Sequence, residues 1–184
     1  MRPELAAKLK AGGCTLYFDT NEIRGRYADE VKAFNNFCRQ IQRLRKVDEK
    51  APSVKVFAVN YFEMMHQLRR SLTRQIFDES VIAASLQTLE IPIVPLDLEN
   101  ANGCAKHLHH WFPTDAHWSD AKKPANDRAT VDWLISTHVC ATDAILVTSD
   151  GGNEFRESQI AGRCVKRSEL TAFIDSWLKS FESP

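Results

Sequence analysis

Residues 131–150 read VDWLISTHVCATDAILVTSD, and the change of period inside this stretch decides the fold. From Asp127 to Cys140, the residues Thr130, Val131, Leu134, Ile135, His138 and Val139 recur at three- and four-residue steps, which predicts a helix with one apolar face. Ala144-Ile145-Leu146-Val147-Thr148 then runs apolar without alternation, the pattern of a strand covered on both faces in a parallel sheet. The strand ends at Ser149-Asp150, so an acid stands where the chain leaves the sheet.

The same step repeats upstream. Residues 14–18, CTLYF, form a β-prone run that breaks at Asp19-Thr20-Asn21, a polar triplet suited to a strand end and helix cap. From Glu22 to about Lys50, Val31, Phe34, Phe37, Cys38, Ile41 and Leu44 mark a long amphipathic helix, interrupted near Gly25. Ala51-Pro52-Ser53 punctuates, Val54–Val59 reads as a second strand, and Asn60 caps a helix running to Arg70. A helix over Asp78–Leu89 leads to a third strand, Ile91–Leu96, whose prolines place it at a sheet edge. Residues 98–126 carry one helix and a long loop, and a short strand at Arg163–Lys166 precedes a C-terminal helix over Ser168–Ser180. Strands alternating with helices predict an α/β fold, a three-layer α/β/α sandwich on a central, mainly parallel sheet. One domain over 1–184 is expected, with a core of about 14–166 and an insertion at about 98–126.

Composition narrows the function. The 184 residues balance 24 Lys and Arg against 24 Asp and Glu and are 43% hydrophobic, with ten Phe, four Trp and three Tyr. That excludes intrinsic disorder and a strongly cationic nucleic-acid coat. No apolar run approaches the roughly 18 residues of a membrane span, and the opening MRPELAAKLKAGG has no apolar leader core. No membrane association and a cytoplasmic location are therefore expected. Cys14, Cys38, Cys104, Cys140 and Cys164 are odd in number and form no C-x-x-C, which predicts buried reduced thiols.

Asp19, Asp97 and Asp150 each follow a strand, and in open parallel sheets the C-terminal strand ends form the ligand crevice. Glu63, on the first turn after the second strand, and Asp132, near the start of the helix entering AILVT, can join them. Singly, each has a plain reading: Asp19 as a helix cap, Asp150-Gly151 as a turn, Glu63 as a solvated helix residue, Asp132 as a first-turn acid. Together, Asp19, Glu63, Asp132 and Asp150 make a pocket of negative charge that suits Mg²⁺ or Mn²⁺, the cations that support phosphodiester cleavage.

These segments resemble the PIN-domain nucleases, the family of the VapC-type bacterial toxins. LYFDTNEI is similar to the family's opening strand, VFAVNYFEMMHQLRR to the segment bearing its Glu, IPIVPLDLENA to its third strand, and VDWLISTHVCATDAILVTSDGGNEF to its most recognisable stretch. The resemblance spans about residues 14–165 and implies an acidic quartet of Asp19, Glu63, Asp132 and Asp150 as catalytic and metal-holding residues. It makes Asn21 and Thr148 polar supports and Asp97 a structural position. It further implies a Mg²⁺- or Mn²⁺-dependent endoribonuclease, with RNA as substrate and a protein antitoxin as partner; apart from the resemblance, apolar positions on the helix after the second strand and on the C-terminal helix read as a homodimer interface or simply as core. The chain departs from the compact pattern in segments 24–52 and 98–126, in GGNEF after Asp150, and in the C-terminal helix.

The insertion holds His107, His109, His110 and His117 beside Trp111 and Trp118. It reads as a surface helix and loop, as a base-stacking surface, or as a transition-metal site lacking a completing cysteine or acidic pair. Arg39, Arg43, Arg45 and Lys46, with Arg69, Arg70 and Arg74, form a candidate phosphate-binding stripe, or simply solvated helix faces. Two further readings stand beside the ribonuclease: a catalytically silent PIN-like RNA-binding or assembly module, and a PIN-type DNA nuclease. A haloacid-dehalogenase-type phosphatase is disfavoured, because its second Asp would fall at Asn21.

Overall fold

Five strands, β1 (Thr15–Phe18), β2 (Ser53–Phe57), β3 (Ile93–Val94), β4 (Ile145–Val147) and β5 (Cys164–Val165), lie in the order β3-β2-β1-β4-β5. Every pairing is parallel, with Leu16 opposite both Val54 and Ile145. The computed structural model describes residues 1–24, 28–71, 84, 86–111, 126–149 and 158–182. Helices described from end to end are α1 (Pro3–Ala11), α2 (Thr20–Arg24), α3 (Ala28–Val47), α4 (Ala58–Ser71), α5 (Leu98–Trp111), α6 (Asn126–Ala141), α7 (Ser158–Ala161) and α8 (Arg167–Glu182).

Side chains alternate across the sheet, so each strand feeds two cores. Leu16, Phe18, Val54, Val56, Ile145 and Val147 face α1, α3 and α8, meeting Leu9, Phe34, Phe37, Ile41, Leu170, Ile174 and Trp177. Phe18 stands edge-on to Phe34 and Phe37, with ring centroids 5.2 and 5.5 Å away. Tyr17, Phe57 and Leu146 point the other way, onto Ile135 and Val139 of α6 and Ile160 of α7. Helix α5 lies against α6 so closely that a Cβ on Gly103 would come within 3.2 Å of the Ala141 Cβ, so only glycine fits there without displacement. This is the three-layer α/β/α sandwich on a parallel sheet that the strand and helix periods predict.

Several boundaries differ from the sequence reading. Helix α1 was not expected, yet its signals are present: Pro3 at its start, Glu4 in the first turn, Lys8 and Lys10 in the last. Gly12 and Gly13 then turn the chain into β1 at φ 94° and 71°, angles that side chains with a Cβ rarely adopt. The long helix expected from Glu22 with an interruption near Gly25 is described as α2 up to Arg24 and α3 from Ala28, and Gly25 lies outside the described residues. Strand β2 ends at Phe57 and α4 begins at Ala58, so Asn60 is inside the helix rather than its cap. The third strand shrinks to two residues at the sheet edge because Pro92 and Pro95, which flank it, have no N–H to donate. Of the helix expected over Asp78–Leu89, residues 84 and 86–88 are described and helical, and most of the remainder lies outside the described residues.

One ion pair ties the C-terminal helix to the turn after β1. The Arg167 Nε lies 3.3 Å from Glu22 Oε2, and Arg167 Nη1 donates to the Glu22 carbonyl oxygen at 3.0 Å. Glu22 is buried, whereas the guanidinium keeps partial access to water. Removing the cation leaves a buried carboxylate behind, at a cost moderated by that access. Arg167→Ala is therefore expected to lower stability by about 1.5 kcal/mol and the melting temperature by roughly 4 °C. Thermal melting checks this, and Arg167→Lys should recover only part of the loss because it cannot bond both oxygens.

Candidate functional site

The strand order runs from β1 through β2 to β3 on one side and from β4 to β5 on the other. The topological switch point thus lies between β1 and β4, and it is at the C-terminal strand ends of this point that open parallel sheets bind their ligands. Asp19 sits there. Its N–H extends the ladder by donating to the Val147 carbonyl at 3.0 Å, and its own carbonyl accepts from Glu22 N at 2.9 Å, the backbone role of an N-cap residue. Its side chain is 3% exposed, and Thr148, one residue beyond β4, donates its hydroxyl to Asp19 Oδ2 at 2.9 Å. Thr148 is fixed in turn by its N–H, which donates to Val165 O at 3.0 Å.

The next residue connects this corner to α4. Buried Thr20 donates its Oγ1 proton to Glu63 Oε2 at 2.6 Å, and Asn60 Nδ2 donates to Thr20 Oγ1 at 3.3 Å. Asn60 and Glu63 share a helix face by their three-residue spacing. Asn60 is 0% exposed, and its Oδ1 has no hydrogen-bond partner among the described residues.

Of the predicted quartet, Glu63 accepts from Thr20, the residue that follows Asp19 in the chain. Asp132 is half-buried on α6, which packs against α4, and Asp150 lies outside the described residues. Among the described residues no group of three or more His, Cys, Asp and Glu side chains is placed to hold a metal ion. Asn21 is exposed, and the buried neighbour bonded to Glu63 is Thr20. Asp97 caps α5: its Oδ1 accepts from Asn100 N at 2.8 Å, and its carbonyl from Ala101 N at 2.9 Å.

The donors assembled here are carboxylate, hydroxyl and amide oxygens, the set preferred by hard divalent cations. By donor type, the carboxylates of Asp19 and Glu63 suit Mg²⁺ or Mn²⁺. The thiols do not compete for this role, since burial pushes Cys14 up to about 11 and Cys38 and Cys164 up to about 12, leaving them protonated.

Arg39 bonds Asn36 Oδ1 at 3.3 Å and Arg43 lies 3.5 Å from Glu182 Oε1. Arg45 and Lys46 line a groove of about 470 Å³ with Val54 and Ile91, at the start of β2 and so at the opposite end of the sheet from Asp19. Arg69 and Arg70 belong to the last turn of α4, with side chains outside the described residues, as are most of the insertion's His and Trp side chains.

In the sequence Thr20 and Asn60 read only as capping residues, and Glu22 only as the start of a helix. The Asn60–Glu63 spacing was the available signal, but a polar residue after a strand reads first as a cap. Among the described residues no helix is long and apolar enough to cross a membrane. No protein-family model matches the chain, and no curated protein matches it.

Proposed function

We propose that the chain is a divalent-metal-dependent endoribonuclease acting on single-stranded RNA, serving as the toxin of a toxin–antitoxin pair. The observation that carries the reading is the buried Asp19 carboxylate at the switch point, held by Thr148 and followed directly by the Thr20–Glu63 bond. The resemblance of the strand-end segments to PIN-domain nucleases supports the same chemistry.

In this account Asp19 and Glu63, with Asp132 and Asp150, would hold Mg²⁺ or Mn²⁺. When bound, the ion supplies positive charge against the scissile phosphate and lowers the pKa of water. The protein's part is orientation: Thr148 fixes the Asp19 carboxylate, Thr20 fixes that of Glu63, and both acceptors are set before substrate arrives. Water is the attacking group and no side chain forms a covalent bond to RNA, which agrees with thiols held protonated by burial. The products are a 5′-phosphate and a 3′-hydroxyl. A small antitoxin protein would cover the crevice, and a homodimer is the proposed assembly.

Purified protein should cut total RNA in Mn²⁺, stop in EDTA, and leave labelled single-stranded DNA intact. Cutting of DNA alone would move the assignment to a DNA nuclease. If neither is cut, the binding-module reading replaces the enzyme.

A further inference from the structure

The polarity of the hydrogen bonds around Thr20 is fixed by counting protons. Thr20 has one hydroxyl proton, and its oxygen lies 2.6 Å from Glu63 Oε2 and 3.3 Å from the Asn60 amide nitrogen. If the amide were reversed, its oxygen would face Thr20, and one proton would have to serve two acceptors. With Nδ2 donating to Thr20, the hydroxyl is free to aim its proton at Glu63. The 2.6 Å separation is that of a hydroxyl bonded to a charged carboxylate. The three groups form a one-way relay, from Asn60 to Thr20 to Glu63.

This arrangement comes at a cost to the fold. Asn60 is completely buried and its Oδ1 finds no partner among the described residues, whereas an apolar side chain of the same size would bury no orphaned oxygen. It does not cap α4, because that helix begins two residues earlier. What the amide does accomplish is to turn the Thr20 hydroxyl toward Glu63.

We propose that Asn60 and Thr20 are positioning residues that orient the Glu63 carboxylate for divalent-cation binding. The inference deepens the metal-dependent reading above and rests on it. Residues that orient a ligand, without touching the ion, typically change metal affinity by roughly 10- to 100-fold.

The test is Mn²⁺ titration by isothermal calorimetry on the full chain, for wild type, Thr20→Val, Thr20→Ser and Asn60→Leu, with thermal melts alongside. Thr20→Val and Asn60→Leu are expected to weaken Mn²⁺ binding roughly tenfold or more, whereas Thr20→Ser, which keeps the hydroxyl, binds as wild type does. A purely structural role for Thr20 would move the melting temperature without this split between Val and Ser. Should Thr20→Val bind Mn²⁺ like wild type, the relay has no part in binding and the inference is overturned while the metal reading stands. Should Thr20→Val fail to fold, Asn60→Leu decides, and wild-type affinity in that variant overturns the inference. If wild type itself binds no Mn²⁺, the metal reading falls and takes the inference with it.

Discussion

On the proposed ribonuclease reading, Asp19→Asn protein is expected to cleave RNA at least about a hundredfold more slowly than wild type in Mn²⁺, because Asp19 would then be a direct ligand, whose loss exceeds the 10- to 100-fold loss seen for residues that only orient one. The substitution keeps shape and removes charge. Asn retains an oxygen that can accept the Thr148 hydroxyl, now bonded to Asp19 Oδ2 at 2.9 Å, and a neutral amide is easier to bury than a carboxylate. The backbone bonds at residue 19, from its N–H to Val147 and from Glu22 to its carbonyl, do not involve the side chain. The variant should therefore melt close to wild type, so that lost activity reports lost chemistry. Cleavage rates of labelled RNA beside thermal melts check both halves, and wild-type activity in the variant would remove Asp19 from the site.

Acid should destabilise the fold through a different residue. His138 on α6 is 1% exposed, stacked on Phe57 with ring centroids 3.8 Å apart and edge-on to Tyr17 at 4.7 Å. Neither ring nitrogen has a hydrogen-bond partner among the described residues. Burial lowers its pKa from 6.5 to about 4, with the Asp97 carboxylate pulling upward and Lys55 pushing further down. The folded state thus binds this proton less readily than the unfolded chain. Stability from the neutral imidazole is complete above pH 6.5, falls as the pH drops toward 4, and levels off below that. From these two pKa values, unfolding free energy at pH 5 should lie about 2 kcal/mol below that at pH 7. Urea denaturation at the two pH values measures the difference. In His138→Leu that part of the pH dependence should disappear, and an unchanged slope would show that other groups produce it.

The sheet was legible because its strands are nearly pure signals: LYF and ILV are short apolar runs bounded by polar residues, and they became the central pair β1 and β4. Strand ends carry Asp19 and Thr148 to the switch point by topology alone, so residues far apart in sequence could be matched before any coordinates. Helix α1 escaped because only Leu5 and Leu9 of its nine residues are buried, too few for a periodic pattern. Thr20 and Asn60 escaped for another reason. Each is a residue type favoured at helix starts, and only the side-chain partners reveal that Thr20 serves Glu63 and that Asn60 serves Thr20. For the α3 basic residues, spacing gives a face but not the end of the sheet toward which it runs, and Arg45 and Lys46 lie in a groove beside the start of β2. Burial of Glu22 was likewise invisible, since its partner Arg167 lies on the last helix.

The most direct measurement is a Mn²⁺ titration followed by electron paramagnetic resonance, comparing wild type with Asp19→Asn. The account predicts that wild type removes free Mn²⁺ signal with saturation at one or two ions, as expected for carboxylate sites serving phosphodiester cleavage, and that Asp19→Asn removes far less. A wild-type protein that leaves the free Mn²⁺ signal unchanged, or a variant that binds equally well, would contradict it.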